Sequence, residues 1–113
     1  MKFTEVLDSW RSGAAAPRTA SEYAVRLTLD DAAQLNALAE LFPGRTREQL
    51  ITDLLSAALQ ELAAAIPYEP GPRVISTDEQ GDPLYEDVGL TPRLMELTRK
   101  HRRELEAELR KSR

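Results

Sequence analysis

The chain has 113 residues, no cysteine and a net charge of −4, with 42% hydrophobic but only 5% aromatic residues. The lack of cysteine excludes disulfides and thiolate metal sites, and no stretch of about 18 residues is apolar enough to cross a membrane. Acidic residues near the N-terminus interrupt any secretory signal. We therefore expect a cytoplasmic protein without membrane contact, and its many leucines and alanines favour helices.

The charges are distributed unevenly and divide the chain into four segments. Residues 1–21 have a net charge of +1, residues 22–66 of −4, residues 67–91 of −5 and residues 92–113 of +4. The acidic total argues against a generic nucleic-acid binder, because non-specific affinity comes mainly from Lys and Arg on phosphates. The distribution indicates an acidic centre followed by a basic tail.

The first segment, residues 1–21, is predicted to be a short amphipathic helix and a linker. Phe3, Val6, Leu7 and Trp10 have the i, i+3, i+4, i+7 spacing of one apolar helix face. We expect this helix to dock on its own chain or on a dimer mate, with a docking site for another protein as the alternative. Residues 11–21 are small and polar, as in a linker.

Residues 22–29 alternate between apolar and polar side chains, which predicts a half-buried strand. The apolar face carries Tyr23, Val25, Leu27 and Leu29. The polar face carries Glu22, Ala24, Arg26 and Thr28. Because a lone strand leaves its backbone groups unpaired, we expect it to pair antiparallel with the same strand of a second copy.

Two helices are predicted after this strand. Asp30 is the expected cap of a helix over residues 30–42, and Gly44 is suited to a left-handed residue at its end. Thr46 and Gln49 fit a capping box at the start of a helix over residues 46–66. The apolar stripes of these helices include Leu35, Leu38, Ile51, Leu54, Leu55 and Leu59, which together with the apolar strand face form the expected dimer core.

Residues 67–91 are predicted to be an acidic linker or a small hairpin, with Pro83 weakening its second strand. Thr91 is the expected cap of a basic helix over residues 92–113, and Pro92 is suited to its first position. The basic run at residues 99–103 is typical of a solvated helix face, although it can also bind nucleic acid or an acidic partner. Nothing in the sequence assembles a catalytic set, a cofactor loop or a metal site, so we expect no enzyme activity, cofactor or metal.

The order of a strand, a helix of about three turns, a Pro-Gly turn and a longer Thr-capped helix resembles the ribbon-helix-helix family over residues 22–66. The resemblance implies a mainly α, obligate homodimer with an intermolecular two-stranded antiparallel ribbon, here with an additional N-terminal and C-terminal helix. It also implies that the outer ribbon face reads base edges in the DNA major groove.

The resemblance assigns two kinds of DNA contact to this sequence. Base contacts would come from Ala24, Arg26 and Thr28. Phosphate contacts would come from Thr46 and Arg47 at the start of the second helix, with Arg45 beside them. Arg18, in the linker before the strand, would supplement the contact with DNA.

The first hypothesis is therefore a sequence-specific regulator of transcription, such as a repressor, that binds double-stranded DNA as a homodimer. A close variant is an antitoxin, in which the chain after Pro67 would wrap a toxin. The alternative is a dimeric protein-interaction adaptor that does not bind DNA and engages its partner through residues 1–12 or 67–113. Salt dependence separates the two classes, because binding through several phosphates weakens steeply with salt.

Overall fold

The computed structural model describes residues 3–12 and 17–112, and within residues 3–12 it describes the side chains of residues 3–8. The chain divides into two compact units, residues 1–62 and residues 63–113, each of which is described by itself below. The described part is mainly helical and contains one two-stranded antiparallel sheet. None of its helices combines the length and the apolar character that a membrane span needs.

The first unit contains the helices α1 (Phe3–Ser12), α2 (Leu29–Leu41) and most of α3 (Arg47–Ala65). The three helices predicted in this region are thus present, with bounds that differ by one or two residues. Their core is formed by Val6 of α1 together with Leu35, Leu50 and Ala57. Since Val6 is 1% exposed, α1 docks on its own chain. The side chain of Trp10, which was predicted to share this face, lies outside the described part of the structure.

Two details of α2 differ from the predictions. The helix begins at Leu29 because the Thr28 hydroxyl accepts the backbone N–H of Asp31 at 3.2 Å, so that Thr28 and not Asp30 is the cap. Asp30 instead lies in the first turn, where its negative charge interacts favourably with the positive end of the helix dipole. At the other end Phe42 is the cap, and Gly44 does not take the predicted left-handed conformation. The chain turns there through a hydrogen bond from Arg45 N–H to the Phe42 carbonyl.

The capping box predicted at the start of α3 is confirmed. The Thr46 hydroxyl accepts the backbone N–H of Gln49 at 3.1 Å, and the Gln49 side-chain oxygen accepts the backbone N–H of Thr46 at 2.9 Å. These reciprocal bonds satisfy two donors that an isolated helix end would leave to water. They set the first turn of α3 and hence the direction in which this helix leaves the turn at residues 42–46.

Residues 22–28 form neither helix nor strand within one chain. The predicted strand is wrong at Leu29, which belongs to α2. Thr28 has extended backbone angles, with φ −64° and ψ 157°. Between residues 22 and 27 no backbone group is bonded to another backbone group of the described part of the chain. The ribbon would form between two chains, so this pairing stays a prediction.

The second unit contains a hairpin of strands β1 (Pro70–Thr77) and β2 (Pro83–Asp87), so residues 67–91 are not simply an irregular linker. The strands pair antiparallel from Pro70 opposite Asp87 to Thr77 opposite Pro83, with two irregularities in register. Pro83 is tolerated because it is the first residue of its strand.

Asp78 and Gly81 shape the turn of this hairpin. One carboxylate oxygen of Asp78 accepts the backbone N–H groups of Gln80 and Asp82, each at 2.9 Å. Gly81 has φ +83°, a left-handed conformation that costs glycine little and other residues more. The Asp78 carboxylate is therefore engaged in organising the turn.

The unit ends in α4 (Thr91–Lys111). Leu90 occupies the cap position and makes no side-chain capping bond, so the predicted cap at Thr91 is wrong. Thr91 is already helical, and Pro92 lies in the first turn, where its missing N–H is not needed by the helix. Arg113, the last residue of the predicted helix, lies outside the described part.

Candidate functional site

Three exposed apolar residues lie at alternate positions in the segment before α2. Tyr23 is 77% exposed, Val25 is 72% exposed and Leu27 is 45% exposed. Their spacing of two residues places them on one side of an extended chain. Leu29, the fourth member of the predicted face, is 89% exposed at the start of α2. We call Tyr23, Val25 and Leu27 the apolar row.

A groove of about 470 Å³ opens between α2 and α3, beside the apolar row. Leu27 belongs to both features, since it ends the row and lines the groove. The other lining residues are Asp31, Gln34, Leu35, Leu38, Ile51, Leu54, Leu55 and Ala58. The structure therefore brings most of the predicted dimer core to one surface. Leu59 does not line the groove and is exposed.

One apolar face of α3 lines the groove, and a neighbouring apolar face is buried in the core. Ile51, Leu55 and Ala58 line the open groove. Leu50 and Ala57 lie on a neighbouring face and are fully buried in the cluster that contains Val6. The predicted core omitted Leu50 and Ala57, although their separation of seven residues is a helical repeat that could have revealed them. Since α1 covers this second face, the groove is the apolar surface that the first unit leaves open between α2 and α3.

The residues predicted to touch DNA bases lie on the same segment as the apolar row. Ala24, Arg26 and Thr28 are exposed. Among the described residues Arg26 has no hydrogen bond or ion pair, so its guanidinium can meet a new acceptor. The Thr28 hydroxyl serves as the cap of α2 through an oxygen lone pair. A hydroxyl also carries a donor, so capping leaves Thr28 able to donate one hydrogen bond.

The residues predicted to touch phosphates are close in sequence at the start of α3, except for Arg18. Arg47 donates to the side-chain oxygen of Asn36 at 3.4 Å, which links α3 to α2. Thr46 is committed to the capping box, and Arg45 is half-buried in the turn before it. Arg18 is exposed in the segment before the apolar row. The positive end of the α3 helix dipole favours an anion at this turn.

Among the described residues, no group of three or more His, Asp or Glu side chains could hold a metal ion. Comparisons of this chain with known protein families, with curated proteins and with solved structures found no match.

Proposed function

We propose that this chain is a homodimeric DNA-binding regulator of the ribbon-helix-helix kind. The observation that carries the proposal is the apolar row, which lies beside an open apolar groove on the same unit. Burying exposed apolar surface is favourable by roughly 25 cal/mol for each Å² that is removed from water. Exposed apolar patches rimmed by polar residues mark interaction sites in soluble proteins.

A second copy of the chain is the occupant that best satisfies this surface. The backbone groups of residues 22–27 make no bond to other backbone groups of the described residues, and the same residues of a second copy would offer complementary donors and acceptors across a two-fold axis. Such a ribbon would turn both apolar rows toward the two grooves. One event would thus bury the apolar side chains and pair the backbone groups.

Dimerisation of this kind would leave the opposite side of the ribbon free for DNA. Alternation along the strand turns Ala24, Arg26 and Thr28 away from the apolar row. Arg26 can donate two hydrogen bonds to a guanine, Thr28 can donate one to a base acceptor, and Ala24 can touch a thymine methyl group. The start of α3, at Thr46 and Arg47, would hold a backbone phosphate and fix the register of the ribbon in the major groove.

Fluorescence anisotropy tests this proposal with the full chain, a labelled duplex from the region upstream of its gene and a scrambled duplex. We expect tighter binding to the upstream duplex and a steep loss of affinity with salt. Arg26→Ala should weaken the specific complex by roughly 5- to 150-fold for each of the two Arg26 side chains that contacts a guanine, corresponding to about 1–3 kcal/mol per bidentate base contact. Arg73→Ala removes the same charge from an exposed position on β1 and serves as the control. Equal effects of the two variants would contradict the base-reading role of Arg26.

A second candidate function is a protein-interaction adaptor, which is favoured by the charge and surface of the chain. Residues 22–66 have a net charge of −4, which opposes DNA binding. The second unit also exposes apolar side chains between β2 and α4, with Val88 57% exposed and Leu90 70% exposed. Absence of binding to either duplex at low salt, together with retention of one specific protein, would make the adaptor the leading interpretation. An antitoxin would combine both activities, binding DNA through residues 22–66 and a toxin through the chain after Pro67.

A further inference from the structure

The helix α4 has two opposite faces with different chemistry. Leu94, Leu97, Leu105 and Leu109 lie along one face, and the last three of these are half-buried. With 3.6 residues per turn, Arg99, Arg103 and Arg110 fall within about 40° of one another, on the side facing away from Leu94. All three arginines are exposed. We call Arg99, Arg103 and Arg110 the arginine stripe.

Glu96 and Glu106 lie beside the arginine stripe on α4, but each forms its ion pair with a basic residue outside the stripe. Glu96 pairs with Arg93 at 3.3 Å, and Glu106 pairs with Arg102 at 2.8 Å. Glu104 lies 3.4 Å from His101. The ion pairs of α4 thus engage other basic residues, and in the described part of the chain no side chain of the arginine stripe has a hydrogen bond or ion pair. As far as residues 3–12 and 17–112 are concerned, the three guanidinium groups of the stripe are unpaired.

We infer that the arginine stripe of α4 binds backbone phosphates of duplex DNA. This inference rests on the proposed DNA-binding function and extends it to a surface outside residues 22–66. The net negative charge of residues 22–66 repels DNA phosphates, whereas residues 92–113 have a net charge of +4 and attract them. Affinity for DNA of any sequence depends on Lys and Arg contacts to phosphates, so the chain needs a basic surface that the ribbon region lacks.

The dimensions of the stripe suit a phosphate backbone. Arg99 and Arg110 are eleven residues apart in α4, which is about 16 Å along a helix axis and corresponds to about five base pairs of duplex. Arginine offers several donors in a planar fork, which matches phosphate oxygens. A stripe of this kind recognises charge and spacing but carries no base-reading side chains. It therefore contributes affinity and not sequence preference.

The test compares the full chain with two variants by anisotropy on the upstream and scrambled duplexes. The stripe variant is Arg99→Gln, Arg103→Gln, and the matched control is Lys100→Gln, Lys111→Gln, which removes the same charge from the same helix at positions outside the stripe and breaks none of the ion pairs named above. Glutamine keeps a high helix propensity, and circular dichroism would verify that α4 is retained. We expect the stripe variant to lose affinity for both duplexes by similar factors and the control to lose much less.

Salt dependence gives a second readout. Adding Arg110→Gln to the stripe variant removes three phosphate contacts per helix, and each contact contributes about 0.9 to the slope of log K against log salt. Between about 50 mM and 200 mM salt the wild type should therefore lose about 40-fold more affinity than the triple variant for each α4 helix that contacts the duplex. A triple variant with the wild-type slope would overturn the inference.

The remaining outcomes separate this inference from the proposed function. If the wild type binds the upstream duplex specifically and the stripe variant binds it equally well, the inference is overturned and the proposed function is still supported. Equal binding to both duplexes that disappears in the stripe variant supports the inference and overturns sequence-specific regulation. Unchanged DNA binding with weakened self-association in sedimentation would assign the stripe to the acidic hairpin of a second copy and overturn the inference.

Discussion

Val25 offers the sharpest test of the dimer, because its side chain is 72% exposed in one chain. If the chain worked as a monomer, Val25→Ala would alter a solvated position and change stability by less than about 0.5 kcal/mol. If residues 22–28 pair across a two-fold axis, the same substitution removes apolar surface that dimerisation buries. The two situations predict clearly different results.

The size of the expected effect can be worked out from the exposed fraction. Replacing valine with alanine removes the equivalent of two CH₂ groups, worth about 1.6 kcal/mol when fully buried. If the dimer buries the exposed 72% of Val25 and the exposure is shared evenly over the residue, each copy would lose about 1.1 kcal/mol. Both copies of a symmetric dimer carry the change, so the dimer should lose about 2.3 kcal/mol, which corresponds to a dissociation constant about 50-fold higher.

Sedimentation velocity across a dilution series measures this dissociation constant directly. Arg26→Ala is the matched control, since it changes the neighbouring residue on the opposite side of the segment and should leave the dimer unchanged. A Val25→Ala protein with the dissociation constant of the wild type would refute the ribbon. A wild type that remained monomeric at every concentration would refute the dimer itself.

Three further substitutions test the packing and the local geometry. Val6→Ala should lower the free energy of unfolding by about 2 kcal/mol, because Val6 is buried against α3, whereas Leu7→Ala at an exposed position of α1 should cost much less. Denaturation at a fixed protein concentration compares them, and equal losses would contradict docking of α1. Thr46→Ala should cost about 1 kcal/mol through loss of the capping box and should speed hydrogen exchange of the first α3 amides; unchanged exchange would count against the box. Gly71→Ala should disrupt the hairpin, since the new methyl carbon would lie 2.5 Å from a Val88 methyl group, while Gly44→Ala has open space and should be tolerated. Nuclear magnetic resonance of the β1 and β2 amides would distinguish the two, and an intact hairpin in the Gly71 variant would refute the close approach.

Local sequence signals were sufficient to locate the helices. The spacing of apolar residues, the Pro-Gly pair after α2 and the Thr46–Gln49 capping box predicted α1 to α4 with bounds close to those observed. These signals act within a few residues, so the sequence carries them in full. The wrong prediction of Asp30 as the cap of α2 also concerns neighbouring residues. Thr28 is the cap because its hydroxyl accepts the backbone N–H of Asp31.

Tertiary structure decided what contacts what. The sequence indicated that α1 has an apolar face, but only the packing shows Val6 against Leu35, Leu50 and Ala57. The same packing covers Leu50 and Ala57 and leaves Leu55 and Ala58 exposed along the groove, whereas Ile51 and Leu54 line the groove and also pack against the core. The alternation along residues 22–29 indicates that one side of the segment is apolar. It does not determine which surface covers that side. Local charge and turn preferences likewise did not distinguish a linker from a hairpin at residues 67–91, because strand pairing depends on groups distant in sequence.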